Sequence, residues 1–478
     1  MHTTLEELMD AARGRADYAD VRHVHTRHES ISTRNGAVDE VEGSESEGAG
    51  VRVRVGGAWG FAATRDLSKA GLDAALTRAL KVAAAQPQAP KTPLAPEPPA
   101  RGSWASDARI DPFAVPLEDK LQRLLEADAS MRGDPRIAIT SARMTNLTET
   151  RTFASSEGAL CDQRTTETGA AIQAVAVSGD QIQVRSYPSS HTGDVRQAGY
   201  EHVEGLDLAE RGPRVAEEAI ALLSAPRCEP GHTTIVLDGQ QVALQVHESV
   251  GHAVELDRVL GMEASYAGTS FVTPADLGRL RYGSELMSVT ADATLPGGLG
   301  SYGWDDEGVA ARSEPIVRNG VLAGFLSSRE TAAAIGLDHS GGCMRADGFA
   351  RQPIVRMSNV SLEPGAAGTL DDLIAATERG LYLETNRSWS IDSRRLQFQF
   401  ATEAAWEIVD GERRGLVSNA SYSGTTPEFW RSLDAICSAP AWRLWGLTNC
   451  GKGEPGQAMR VSHGAAPARF RDVQVGVA

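Results

Sequence analysis

Two imidazoles and a carboxylate stand within six residues in His247-Glu248-Ser249-Val250-Gly251-His252. Histidine nitrogens ligate zinc readily, and a glutamate beside such a ligand is placed to take a proton from water. The pattern therefore points to metal-assisted hydrolysis. In the zinc-peptidase signature the two histidines lie four residues apart, one helical turn, so that both rings face the metal. Here the step is five. At about 100° per residue, the second ring of a regular helix would point roughly 140° away from the first. Chelation then requires a distortion: a π-bulge that absorbs one residue, or a break at Gly251 that lets His252 swing back.

Catalytic zinc takes three protein ligands and keeps a position for water. Glu255, three residues beyond His252, is the near option for the third. The distant option is Cys450, in the glycine-rich run Asn449-Cys450-Gly451-Lys452-Gly453-Glu454-Pro455-Gly456-Gln457, where Lys452 would favour a thiolate. Residue chemistry leaves both open. Taken alone, Cys450 reads as a small buried hydrophobe and His463 as a structural histidine. Asp305-Asp306-Glu307 reads as a solvated turn before it reads as a cation site, and His23, His25 and His28 read as surface. Two other functional readings compete. Cys450 could be the nucleophile of an amide hydrolase with His463 or His252 as base, or the chain could be a non-catalytic peptide-binding subunit.

The elements that must position these groups are legible in outline. Strand His232 to Leu237 runs into Asp238-Gly239, an N-cap, and then a helix near Gln240 to Asp257 with Val242, Val246, Val250 and Val254 at four-residue spacing. Upstream, Val51, Val53 and Val55 alternate with arginines, Gly56-Gly57 turns the chain, and Leu67 to Ala85 carries a helical stripe. Six prolines between Gln86 and Ala100, Pro87, Pro90, Pro93, Pro96, Pro98 and Pro99, exclude helix and central strand. A helix over Leu117 to Arg132, strands from Ile137 to Phe153 and Ala170 to Tyr187, and a helix near Leu206 to Ser224 follow. Beyond Cys228 the pattern is strand-rich, with tight hairpins at Asn319-Gly320 and Asp410-Gly411 and helices near Thr369 to Arg379 and Pro427 to Cys437. The expected fold class is α+β. An N-terminal α/β domain (1–85), a Pro-rich linker (86–112) and a central α/β domain (113–226) precede a mainly antiparallel C-terminal domain (227–478) that carries the metal-site helix.

Bulk properties narrow the partners. The 478 residues are long enough for two or three cores, and no apolar run approaches the roughly 20 residues that span a bilayer. A formal net charge of −16 repels phosphate backbones and anionic lipid surfaces, so neither nucleic acid nor membrane is expected. The opening Met1 to Arg15 lacks the basic and apolar regions of a secretory signal, which leads us to expect the cytoplasm. Five cysteines without regular spacing argue against a disulfide framework.

Taken together, His247-Glu248-Ser249-Val250-Gly251-His252-Ala253-Val254-Glu255, Asp305-Asp306-Glu307-Gly308, Arg356-Met357-Ser358-Asn359, Cys450-Gly451-Lys452-Gly453 and Val461-Ser462-His463-Gly464 resemble the TldD/PmbA family of modulator-of-gyrase peptidases, specifically its TldD half. Gly50 to Thr64 and Ser155-Ser156-Glu157-Gly158 fit too, so the resemblance spans nearly the whole chain. It implies a metallopeptidase with zinc (Zn2+) on His247, His252 and Cys450, and Glu248 as the base that activates water. It also implies short or unfolded peptide substrates threaded in an extended form, and pairing with a TldE/PmbA-like paralogue that lacks the metal motif, or with a second copy. Some members of the family serve natural-product tailoring.

Overall fold

The computed structural model describes residues 1–87, 92–190, 193–453 and 456–476. Pro90 of the proline-rich run and Glu454-Pro455 of the glycine-rich run lie outside them. The first half contains α1 (His2–Ala12), β1 (Tyr18–Arg34), β2 (Ala37–Val55), β3 (Ala58–Thr64), α2 (Lys69–Ala85) and β4 (Arg101–Ala105). It continues with α3 (Leu117–Ser130), β5 (Ile137–Ser155), β6 (Leu160–Ser178), β7 (Gln181–Tyr187), β8 (Asp194–Arg196), α4 (Glu201–Glu204) and α5 (Leu208–Leu222). These strands form one sheet in the order β3-β2-β1-β5-β6-β4, with β7 and β8 also on β6. Only β4 is parallel to its neighbour. Strands from both sides of the proline-rich run thus share a sheet, β1 pairing with β5 from Asp20↔Ser155 to Arg34↔Ser141. Two apolar clusters flank it: Leu72, Leu76 and Val51 under α1 and α2, and Leu124, Ile172 and Val215 under α3 and α5.

The second half begins with β9 (Gly231–Leu237), α6 (Gly239–Val246) and α7 (Leu256–Val259), then β10 (Val289–Asp292), β11 (Ser313–Arg318), β12 (Val321–Leu322) and α8 (Arg329–Ala334). Next come β13 (Met344–Arg345), β14 (Ile354–Val355), β15 (Val360–Leu362), α9 (Leu370–Ala375), β16 (Arg379–Ile391), β17 (Gln397–Val409), β18 (Glu412–Val417) and β19 (Ser421–Thr425). The chain closes with α10 (Thr426–Arg431), β20 (Leu433–Ile436), β21 (Arg443–Lys452), β22 (Gln457–Ala465) and β23 (Ala468–Val475). The pairings β16-β9-β23-β19-β17 return to β16 and close a ring, which is antiparallel apart from β9 beside β16. Its large apolar core includes Phe398, Phe400, Tyr422, Phe429 and Phe470. The fold is α+β with a strand-rich, mainly antiparallel C-terminal part, as expected.

Both hairpin signals hold, with Asn319 and Gly320 at φ 48° and 78° and Asp410 and Gly411 at 54° and 77°. Several elements differ from expectation: the helix near Thr369 to Arg379 ends at Ala375 with β16 starting at Arg379, and the stretch Ala170 to Tyr187 turns at Gly179-Asp180 between β6 and β7. The helix expected over Pro427 to Cys437 stops at Arg431, because Leu433–Ile436 pairs with β23 and that long-range ladder overrides local preference. Strand β6 starts at Leu160, ten residues before Ala170, since its polar first half pairs with β5 on one side and β4 on the other. No helix among the described residues is long and apolar enough to cross a membrane.

Candidate metal centre

Strand β9 delivers the chain to Asp238, whose carboxylate accepts from the backbone N–H of Gln241 at 2.8 Å and caps α6. After Val246 the helix widens into a single π turn, His247–Gly251, in which the N–H of His252 bonds the carbonyl of His247. A 3-10 turn, His252–Val254, then leads to α7. The extra residue is absorbed, and the rings of His247 and His252 lie 4.7 Å apart between centroids. Gly251 serves through its size. Its φ of −50° is helical, but a Cβ there would come within 2.2 Å of Met357 Sδ.

One ligand atom from each of His247, His252 and Cys450 lies within 4.8 Å of the other two, and all three residues are buried. Cys450 Sγ is 3.5 Å from His252 Nε2. The thiol is held by strand β21, where a loop was expected. The rings' tautomers follow from what stands behind them. His463 Nδ1 lies 2.7 Å from the carbonyl oxygen of Val360, which can only accept, so His463 Nε2 is left as an acceptor. It takes the Nδ1–H of His247 at 2.7 Å, which leaves the lone pair of His247 Nε2 free. Likewise Glu255 Oε2 accepts from His252 Nδ1 at 2.9 Å and frees Nε2 on the side of Cys450. Glu255 therefore stands behind a ring and not among the three donors, and His463 has a positioning task that its sequence context did not reveal.

Burial sets the protonation. It lowers His247 to about 4, lowers His252, and takes His463 well below the usual range, so all three rings are neutral near pH 7. For Cys450, burial acts upward, but His252 and Arg356 outweigh it and bring the thiol below its ordinary value. The fully buried Arg356 guanidinium also donates to the Cys450 carbonyl. Lys452, expected to favour the thiolate, instead bonds Asp257 and the Val355 carbonyl, each at 2.7 Å, and lies 3.4 Å from Glu255. Against burial, Lys452 and His252 hold the Glu255 carboxyl well below its usual range. From the cleft outward the contacts thus run His252, Glu255, Lys452, with the lysine one step further out than expected.

Glu248 is buried at the wall of a cleft of about 370 Å³ that contains all three donors. Trp389 Nε1 donates to its Oε1 at 2.8 Å, and Arg395 Nη1 donates to its Oε2. Arg395 stands in the turn between β16 and β17 with φ 61°, a left-handed conformation uncommon for arginine. Neither Trp389 nor Arg395 is marked by any local motif, because both come from over 140 residues away along the chain.

Asp305-Asp306-Glu307 corrects the expectation of a solvated turn. All three are buried, and arginines of the N-terminal sheet reach them: Arg22 and Arg151 to Asp306, and Arg52 to Glu307 at 3.5 Å. His23, His25 and His28, expected at the surface, are all half-buried: the first two lie against Glu47 and Glu45 across the β1–β2 hairpin and His28 against Thr145.

Known proteins share this architecture. Family models described as PmbA/TldA metallopeptidase domain 1, central domain and C-terminal domain match residues 19–83, 110–224 and 230–477. A metalloprotease of Methanothermobacter thermautotrophicus is 33% identical over 98% of this chain and 97% of its own. A zinc metalloprotease TldD homolog of Saccharolobus solfataricus is 24% identical over 57% of each chain. The crystal structure of TldE from Thermococcus kodakarensis superposes with a TM-score of 0.77 at 16% identity, covering 99% of this chain and 100% of that one, which shows the fold. The strand-rich C-terminal body, which brings two histidines of a distorted helix beside Cys450 of β21, is the part matched to a metallopeptidase C-terminal domain, and the class is that of the metallopeptidases. The chain belongs to the PmbA/TldD metallopeptidase family.

Proposed function

We propose that this chain is a zinc-dependent peptidase in which His247, His252 and Cys450 hold the metal and Glu248 is the general base. The supporting observation is the convergence of two neutral imidazole lone pairs and a thiol drawn towards thiolate, each ring fixed from behind by an acceptor. That donor set suits zinc, which accepts nitrogen and sulfur together. When bound, zinc supplies a Lewis acid that acidifies water and polarises a carbonyl. The protein's own part lies with Glu248, which takes the proton of the attacking water and passes it to the leaving amine. Trp389 and Arg395 each hold one of its oxygens, so the carboxylate keeps its aim through both transfers.

The substrate is a short or unfolded peptide. Strand β21 pairs with β22 alone among the described residues, and its Leu447, Asn449 and Gly451 line the cleft beside Cys450, which supports an extended chain laid along this strand. Zinc analysis combined with cleavage of an unstructured peptide tests the reading. We expect stoichiometric zinc in the wild type and in Glu248→Gln, with turnover reduced ~100-fold or more in the variant. Cleavage at the wild-type rate by Glu248→Gln would remove Glu248 from the mechanism.

The 3.5 Å contact of Cys450 Sγ with His252 Nε2 also favours a second reading, a cysteine-nucleophile hydrolase. Zinc lost in Cys450→Ser speaks for a ligand, and inactivation by alkylation in zinc-free buffer speaks for a nucleophile. The proposed partner is a TldE-like paralogue or a second copy, supported by the shared fold with TldE. Five free cysteines suit a reducing compartment such as the cytoplasm. The division at 85, 112 and 226 remains our proposal for the domains, supported by the three stretches that the family models match.

A further inference from the structure

Ser249 sits in the π turn between the two histidines, and residues from elsewhere in the fold hold it. Its hydroxyl donates to the Gln245 carbonyl at 2.5 Å and accepts from Gln245 Nε2 at 3.1 Å and Trp430 Nε1 at 2.9 Å. A serine hydroxyl has one donor and two acceptor positions, so this one is saturated. Its backbone carbonyl, in the last turn where carbonyls run short of helical donors, accepts from the Tyr282 hydroxyl at 2.5 Å. The bonds continue from Gln245 Oε1 to the Tyr422 hydroxyl at 3.0 Å, from there to Gln241 Nε2 at 2.8 Å, and from Gln241 Oε1 to Asn386 Nδ2 at 3.2 Å. Gln241, Gln245, Ser249, Tyr282, Asn386, Tyr422 and Trp430 are all fully buried.

Such a network is not needed to bury a helix, for which apolar packing suffices, and each broken bond in it would leave a buried group unpaired. It does discriminate between helical registers. If the π turn relaxed to α, Ser249 would rotate by about 100°, and its hydroxyl and carbonyl would leave Trp430 and Tyr282 without partners. The same relaxation would carry His252 away from His247. We infer that Ser249, Tyr282 and Trp430 form a clamp that selects the π register and so sets the spacing of the two metal-binding imidazoles. The inference rests on the reading of His247 and His252 as ligands. Tyr282 and Trp430 are positioning residues, and neither is among the donors.

The test uses the full chain and cobalt(II), whose absorption reports ligand geometry and thiolate charge transfer. Tyr282→Phe removes one hydroxyl with almost no change of volume. We expect its cobalt dissociation constant to rise about tenfold, with a shifted ligand-field spectrum. Tyr302→Phe is the control: that buried hydroxyl also donates to a backbone carbonyl, that of Gly342, outside the metal centre. It should lower the melting temperature comparably while cobalt affinity and spectrum stay at wild type. Ser249→Ala keeps the Tyr282 bond but removes the hydroxyl's bonds with the Gln245 carbonyl, Gln245 Nε2 and Trp430 Nε1, so a change in the same direction and at least as large is expected, and it stands in if Tyr282→Phe does not fold. The clamp is overturned if Tyr282→Phe, or Ser249→Ala in its place, binds cobalt with wild-type affinity and spectrum. A wild-type chain that binds neither cobalt nor zinc overturns the metal reading first, and the clamp with it.

Discussion

Two of the buried polar clusters in this molecule are built on opposite plans. At the junction with the N-terminal sheet, Arg22, Arg52 and Arg151 meet Asp306 and Glu307, opposite charges facing one another. At the candidate metal centre the rings are neutral, and the bonds behind them leave unused lone pairs pointed into one volume. Polar burial therefore does not mark a site by itself. What marks one is unspent valence directed at a common point, with the groups behind it already satisfied.

Exchanging one residue in each cluster should break the comparison most strongly. Asp306→Ala takes the carboxylate partner from the buried Arg22 and leaves Arg151 with Glu149 alone of its two, and we expect about 3 kcal/mol of destabilisation in denaturant titrations, with zinc content unchanged. Cys450→Ser should do the reverse, losing stoichiometric zinc at little cost to the fold of the metal-free protein. Were folded Asp306→Ala to lose its zinc, the two clusters would be one coupled unit.

Acid should separate them next. For His247 the folded value of about 4 lies below the ordinary 6.5, so the unfolded chain binds the proton first as pH falls. Its contribution is present above 6.5 and lost as pH falls towards about 4, of order 3 kcal/mol for the metal-free protein. Burial raises Asp306, but Arg151 and Arg22 outweigh it, so its contribution is present above the ordinary 3.8 and is lost only below that. Between pH 6.5 and about 4 the melting temperature of the zinc-free wild type should therefore fall more steeply than that of His247→Gln. The smallest effect belongs to Glu255→Gln, which keeps an acceptor for His252 Nδ1 but removes its charge. We expect zinc to bind about tenfold more weakly, read by competition with a chromophoric chelator.

Much of this was legible along the chain where the cause is local. The five-residue step between the histidines demanded a distorted helix, Asp238 announced its cap, and Asn319-Gly320 and Asp410-Gly411 announced their turns. What escaped was contributed from a distance. Trp389 and Arg395 reach Glu248 with no motif of their own, while Arg356 and His463 stand in runs that carried the family resemblance but did not announce their contacts with the Cys450 carbonyl and His247. The acidic run at Asp305 read as solvated because its counter-charges sit on another sheet. One signal was there to be used: Gln241, Gln245 and Ser249 repeat every four residues, a polar stripe on a helix that is otherwise buried.

The third donor is encoded 198 residues after the second, on a ribbon that can dock only when β21 and β22 exist. A ribosome-bound chain interrupted between the two carries both histidines without Cys450, so on the proposed reading the full donor set forms only after the C-terminal ribbon has been made.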